Sequence, residues 1–258
     1  MGLYRDDAVV LRTHKLGEAD RIIVLLTEGH GKVRAVAKGV RKTKSRFGGR
    51  LEPGSNIRLL LYEGREHPLS GDGGGGRLDT ITQAETIESH RTIHDDLGRL
   101  ADAMALLEAV DQVAQERESD ARLYRMLQGA LRTLAERRAP LLVAGFYWKL
   151  LALEGMAPQL DACIRCQTPI EETQPVGLDL AEGGVVCRAC RLAAGGGGRL
   201  LPAGPDAVDL IRRILGGDLV GALAEPPGPA TSQVADLATV ALEAHLERRL
   251  RSVRMLPH

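Results

Sequence analysis

Between residues 8 and 83 the apolar positions come in short runs with the two-residue period of β-strands. The stretches 8–12 and 21–27 are rich in β-branched residues, and the second ends at Glu28-Gly29-His30-Gly31, a turn-forming sequence. Residues 32–38 alternate: Val33, Ala35 and Ala37 share one face, Lys32, Arg34, Val36 and Lys38 the other. Further runs lie at 57–62 and, rich in threonine, at 78–83. Five short strands in about 85 residues predict a small antiparallel barrel of OB type. Residues 64–77, with Gly71-Asp72-Gly73-Gly74-Gly75-Gly76, read as a flexible connection longer than such a barrel needs.

After Asp95-Asp96 the period lengthens to that of helices. Leu97, Leu100, Met104, Leu107, Val110 and Ala114 form one stripe, and Leu123, Leu127, Ala130, Leu131 and Leu134 a second that starts near Ser119-Asp120. A third helix is expected from Pro140 to Gly155, and two more over 206–215 and 232–251, separated by Glu225-Pro226-Pro227-Gly228-Pro229. The chain is thus expected to be an α+β protein in four parts. These are an OB-fold domain over 1–85, a helical bundle over 86–157, a cysteine module over 158–192, and C-terminal helices over 193–258 that pack on the bundle.

Composition narrows the class. With 44% hydrophobic and 26% charged residues, the chain can bury a core and is neither fibrous nor globally disordered. Its opening residues carry no apolar signal region, and its apolar stretches are too short to span a membrane, so a cytoplasmic, nucleoid-associated location is expected. Net charge is zero, but residues 1–50 hold twelve Lys/Arg and five Asp/Glu, 12 − 5 = +7, which leaves −7 for the remainder. A basic module joined to an acidic one points to a phosphate backbone as partner of the first.

All four cysteines fall in two pairs, Cys163-Ile164-Arg165-Cys166 and Cys187-Arg188-Ala189-Cys190. Each spacing lets one tight turn present two sulfurs, and the intervening residues suffice for a hairpin that brings the pairs together, so a tetrahedral zinc site is expected. Four thiolates close the metal's shell, which makes the Zn2+ structural. A nucleobase deaminase would need an H-x-E ahead of its cysteines, and His245-Leu246-Glu247 follows them. No metalloprotease or P-loop signature is present, and no catalytic residue is assigned.

The candidate binding residues are Lys32, Arg34, Lys38, Arg41, Lys42, Lys44, Arg46 and Arg50, eight cations in nineteen residues without one acidic group. Charge runs are commonly solvated loops, but this one continues onto a strand face and is interleaved with glycine, which lets a phosphate backbone approach closely. Base stacking would have only Tyr4, Phe47 and Tyr62 to draw on, so attraction is expected to be electrostatic, salt-sensitive and tolerant of single and double strands. Two other readings stay open on the residues alone: a non-catalytic zinc-containing interaction scaffold whose basic patch serves an acidic protein, and a zinc hydrolase or deaminase.

The order of parts resembles a known family. Leu3-Tyr4-Arg5-Asp6-Asp7-Ala8-Val9-Val10-Leu11-Arg12, Leu16-Gly17-Glu18-Ala19-Asp20-Arg21-Ile22-Ile23, and Gly31-Lys32-Val33-Arg34-Ala35-Val36-Ala37-Lys38-Gly39-Val40-Arg41 with Lys44-Ser45 are followed by helices and paired C-x-x-C motifs. In this it is similar to the bacterial RecO family of DNA repair proteins. The resemblance implies a recombination mediator that is not an enzyme: it binds single- and double-stranded DNA through an N-terminal OB-fold, anneals complementary strands and joins RecR. It further implies contact with the C-terminal tail of the single-strand-binding protein and, indirectly, assistance to RecA. The implied DNA surface is the cation set named above, with Arg50 as an extension, and the implied zinc ligands are the four cysteines.

Overall fold

The structure is a computed structural model, and it describes residues 2–42, 45, 47–64, 66–67, 76–193 and 200–252. The chain divides into two compact units: Met1–Arg137, rejoined by the stretch that begins at Arg251, and Arg138–Leu250.

The first unit opens with β1 (Leu3–Leu16), β2 (Asp20–Thr27) and β3 (Gly31–Ala37), a meander of antiparallel neighbours. β4 (Asn56–Tyr62) returns along the other edge of β1. A short pair, β5 (Glu66–His67) and β6 (Gly76–Arg77), precedes β7 (Asp79–Glu88), which lies antiparallel to β4 and closes the barrel in the order β1-β2-β3-β7-β4. The barrel is of the expected OB type, but it is mixed and not antiparallel throughout, because β3 and β7 run parallel. Parity requires this: five strands in a closed ring cannot alternate direction at every seam. The strands are also longer than the expected 8–12 and 78–83.

Why these strands close is legible in their alternation. Ala8, Val10, Ile23, Leu25, Val33, Ala35, Ala37, Ile57, Leu59, Leu61 and Ile81 fill the interior, and Phe47 and Leu51, at the short 3-10 turn Gly48–Leu51, join them. Val9, Leu11, Val24 and Leu26 point the other way and are buried as well. Part of their cover comes from α2 (Leu97–Val113), which follows the short α1 (Arg91–His94), and from α3 (Ala121–Glu136), both of which pack on β1. Asp96 and Asp120 cap these helices through Arg99 N and Leu123 N. The segment after α2 pairs with the start of β3, Lys32 N donating to Gln115 O at 3.1 Å and Arg117 N to Lys32 O at 3.1 Å. Gly31 is needed there twice over: its φ is +64°, and a Cβ would overlap the Glu118 carbonyl.

The second unit starts with α4 (Leu142–Leu153), whose Phe146, Tyr147, Trp148, Leu150 and Leu151 are buried around the helix, as befits a central helix. β8 (Pro175–Asp179) and β9 (Gly184–Cys187) form a hairpin, followed by α5 (Arg188–Ala193) and by β10 (Leu200–Pro202), which adds to β8. α6 (Pro205–Gly216), the short α7 (Leu219–Leu223) and α8 (Pro229–His245) complete it, with α4, α6 and α8 mutually packed. α8 starts earlier than the expected residue 232 because Pro229, at the first helical position, needs no donor, and it ends before 251. The helical stretch expected over 86–157 is therefore shared between the units: α1 to α3 belong to the first, α4 to the second. Among the described residues no helix is long and apolar enough to cross a membrane.

Candidate nucleic-acid interface and metal centre

The cations of β3 sit on the outer face, as the alternation requires, but they differ in what they offer. Lys32 Nζ donates to the Asp111 carbonyl at 2.6 Å and lies 3.8 Å from Asp111 Oδ1, in the last turn of α2, where the helix dipole also favours a cation. Burial lowers the Lys32 pKa, outweighing the attraction of Asp111 and Glu116. Arg34 is half-buried, and Lys38 stands exposed just past the end of the strand.

Past β3 the chain turns at Gly39, whose N–H donates to Asp20 Oδ1 at 2.7 Å. Arg41 is pinned to the β1–β2 turn: its N–H reaches Ala19 O at 3.0 Å, and Nη1 reaches Glu18 O at 2.9 Å. Its side chain and that of Lys42 are exposed. Lys44 and Arg46 lie outside the described residues, and so does most of the glycine-rich connection over 64–77. Arg50 is exposed on the 3-10 turn and donates from Nη1 to Phe47 O at 3.1 Å. The structure thus brings Lys38, Arg41 and Lys42 to one end of the β2–β3 ribbon and commits Lys32 to α2.

The aromatic side chains of the barrel are mostly spent on structure. Phe47 is buried inside it, and the Tyr4 hydroxyl donates to Asp79 Oδ2 at 2.5 Å. Tyr62 is 43% exposed on β4, and it lies in one row with Thr80 of β7 and Val36 of β3, so it is separated from the Arg34–Lys38 face of β3 by a single strand.

Two further groups on the β1–β3 face escaped the sequence reading. Arg12 of β1 pairs with Val24, which pairs with Arg34, so the two arginines lie in one row across three strands. His14, two residues on, has its Nε2 2.8 Å from Arg12 Nη1. Arg12 lies twenty residues ahead of the basic run, and only the strand register puts it there.

In the second unit the four cysteines meet. Cys163 and Cys166 flank a tight turn closed by Gln167 N to Cys163 O at 2.8 Å, with Gln167 at φ +58°, while Cys187 ends β9 and Cys190 lies in α5. Their sulfurs all lie within 4.8 Å of one another, and those of Cys166 and Cys187 are 3.8 Å apart. A tetrahedral zinc with Zn–S of about 2.3 Å requires sulfurs about 3.8 Å apart, so the donor set fits a metal of that size. Cys187 N donates to Cys163 Sγ at 3.4 Å, the amide-to-sulfur bond that stabilises a thiolate ligand. The Thr168 hydroxyl and amide hold the Cys166 thiol down to about 6, whereas its neighbour Cys166 pushes Cys190 up to about 12. Sulfurs this close ionise together only around a cation. Cys163 and Cys187 are buried, Cys190 is half-buried and Cys166 is exposed, which suits a staple at a surface hairpin.

Two family models match the chain: the recombination protein O N-terminal region over residues 1–90 and its C-terminal region over residues 94–254. The chain belongs to the RecO family. Its role is accordingly that of a mediator in DNA recombination and repair, with DNA and the recombination machinery as its partners in general terms. The boundary between the matched regions falls at the end of the barrel, just before α2.

Proposed function

We propose that this RecO protein binds DNA through its backbone on the β2–β3 side of the barrel and lets two complementary strands pair by neutralising both. The observation that carries this is the clustering of exposed Lys38, Arg41 and Lys42 at the end of the ribbon that also bears Arg34, with Lys44, Arg46 and the exposed Arg50 following closely in sequence. Tyr62, across β7 from Val36, is the one exposed tyrosine, phenylalanine or tryptophan among the described residues, and a single ring beside several cations favours phosphate contact over base stacking and hence little preference between single- and double-stranded DNA. Lys32 enters this reading as the residue that seats β3 against α2, its charge already engaged by Asp111. The four cysteines hold a structural Zn2+ that supplies cross-linking and no turnover chemistry. In the cell we place the protein with RecR, in contact with the C-terminal tail of the single-strand-binding protein, helping RecA onto DNA coated by it.

Complementary oligonucleotides test the central claim. The protein is expected to accelerate duplex formation, and log affinity for DNA to fall with log salt by about 0.7 to 0.9 per phosphate contacted. Lys42→Glu/Lys44→Glu is expected to lose most of the annealing while keeping the melting behaviour of the parent. Annealing unchanged in that variant would put the DNA surface elsewhere. A parent that anneals nothing would leave an interaction scaffold as the better reading.

A further inference from the structure

Arg12 is built unlike the other cations of the barrel. Its outward direction follows from register: Thr13 pairs with Ile23 and Ile23 with Ala35, and those two side chains are in the interior, so Arg12, Val24 and Arg34 point out. Neighbouring strands are about 4.8 Å apart, which puts the Arg12 and Arg34 backbones about 10 Å from each other. The Arg12 side chain is 45% exposed, yet its Nε lies 2.7 Å from Asp111 Oδ2, and that carboxylate is only 7% exposed. Nη1 donates to His14 Nε2, which is therefore the unprotonated ring nitrogen in this arrangement. Nη2 has no hydrogen-bond partner among the described residues.

An exposed arginine ordinarily loses side-chain freedom when it grips a phosphate. Arg12 has lost much of it already, because a buried carboxylate on α2 takes the inner nitrogen and leaves the distal end of the planar fork turned outward. Burying Asp111 is costly unless it is paired, and Lys32 already supplies one cation, so the second is available for a purpose beyond neutralisation. We propose that Arg12 is a phosphate-gripping residue of the DNA face and that Asp111 is the positioning residue that aims it. The ligand is a phosphodiester of the DNA backbone, and the site extends the proposed surface from β3 across β2 to β1. This inference rests on the proposed DNA reading.

Equilibrium binding of a fluorescent oligonucleotide to the full chain across a salt series tests it. Arg12→Gln keeps an amide donor for Asp111 but removes the charge. It is expected to lower affinity several-fold and to flatten the log–log salt slope by about 0.7 to 0.9, one phosphate. Asp111→Asn discriminates further through its sign. Removing a negative charge near DNA should by itself tighten binding, whereas loss of aim at Arg12 weakens it, and weakening is expected. In the Arg12→Gln background the same substitution should no longer weaken binding. An unchanged slope in Arg12→Gln, or tighter binding by Asp111→Asn, overturns the proposal. Should Asp111→Asn fail to fold, Arg12→Lys serves instead: it keeps the charge but not the fork, and parent-like affinity would equally overturn the proposal. If the parent itself binds without salt dependence, the DNA reading fails. If Lys38→Glu/Lys42→Glu weakens binding while the Arg12 variants do not, this inference alone fails.

Discussion

Asp79 is fully buried at the start of β7, and its two oxygens gather four donors: the Tyr4 hydroxyl, Gly64 N at 2.9 Å, Arg77 Nε at 3.1 Å and Arg117 Nη2 at 2.7 Å. One carboxylate thus ties β1, the β6–β7 corner and the segment after α2 to the parallel seam of the barrel. Burial opposes its ionisation, but the hydrogen bonds from Tyr4, Gly64 and Arg117 prevail and hold its pKa below the usual value. Asp79→Ala would leave Arg117 and Tyr4 without their acceptor and is expected to cost about 3 kcal/mol, read from urea denaturation of the parent and the variant. A second residue sets a pH response. His90 is buried, its Nε2 has no hydrogen-bond partner among the described residues and lies 4.0 Å from Glu88, and burial lowers its pKa more than Glu88 raises it. Because the folded pKa is the lower one, the unfolded chain takes up the proton first as pH falls. Stability from this group is therefore full above about pH 6.5 and declines below it until the folded form also protonates. Denaturation midpoints at pH 7.5 and 5.5 should show the decline, and His90→Phe should remove its share. Such residue roles were only partly visible in sequence. The outward direction of Lys32, Arg34 and Lys38 could be read because the opposite face is uniformly apolar. The engagement of Lys32 could not, since Asp111 lies 79 residues further on and no local pattern couples them.

Elements show the same division. Barrel strands and α2, α3 and α4 follow periodicity that a core imposes, so their existence could be read from the chain, whereas the parallel β3–β7 seam is a property of the closed ring and belongs to no single strand. The segment after α2 is another case: with Arg117 at φ +64°, it adds to the start of β3 without any strand-like alternation. Its close approach makes Gly31 the sensitive point. Gly31→Ala is expected to cost about 2 kcal/mol, because the new methyl meets the Glu118 backbone and the φ is unfavourable, and thermal melting checks it. The cysteine hairpin is the opposite kind of element, legible down to its four sulfurs, since two C-x-x-C turns brought together by one hairpin leave little freedom. Chelation, or Cys187→Ser, is expected to remove several kcal/mol from the second unit. A shift of the melting transition on chelator titration reads this, while DNA affinity should stay within about twofold of the parent.

At the scale of the whole molecule the chain is two units, and the second is inserted into the first: the polypeptide leaves at Arg137, returns at Arg251, and is received by α2. There the Glu108 carboxylate accepts from Arg251 N at 3.0 Å, from Ser252 N at 2.7 Å and from the Ser252 hydroxyl at 2.5 Å. Sequence periodicity carries no trace of this return, because a carboxylate on one helix turn and two residues far downstream share no pattern. It also sets an order of events during synthesis. The barrel and its helices leave the ribosome first, yet the Arg251 and Ser252 donors reach Glu108 only after the entire second unit has been translated. A nascent chain stalled anywhere before residue 251 thus carries a first unit that still lacks these three hydrogen bonds, for as long as the second unit takes to emerge.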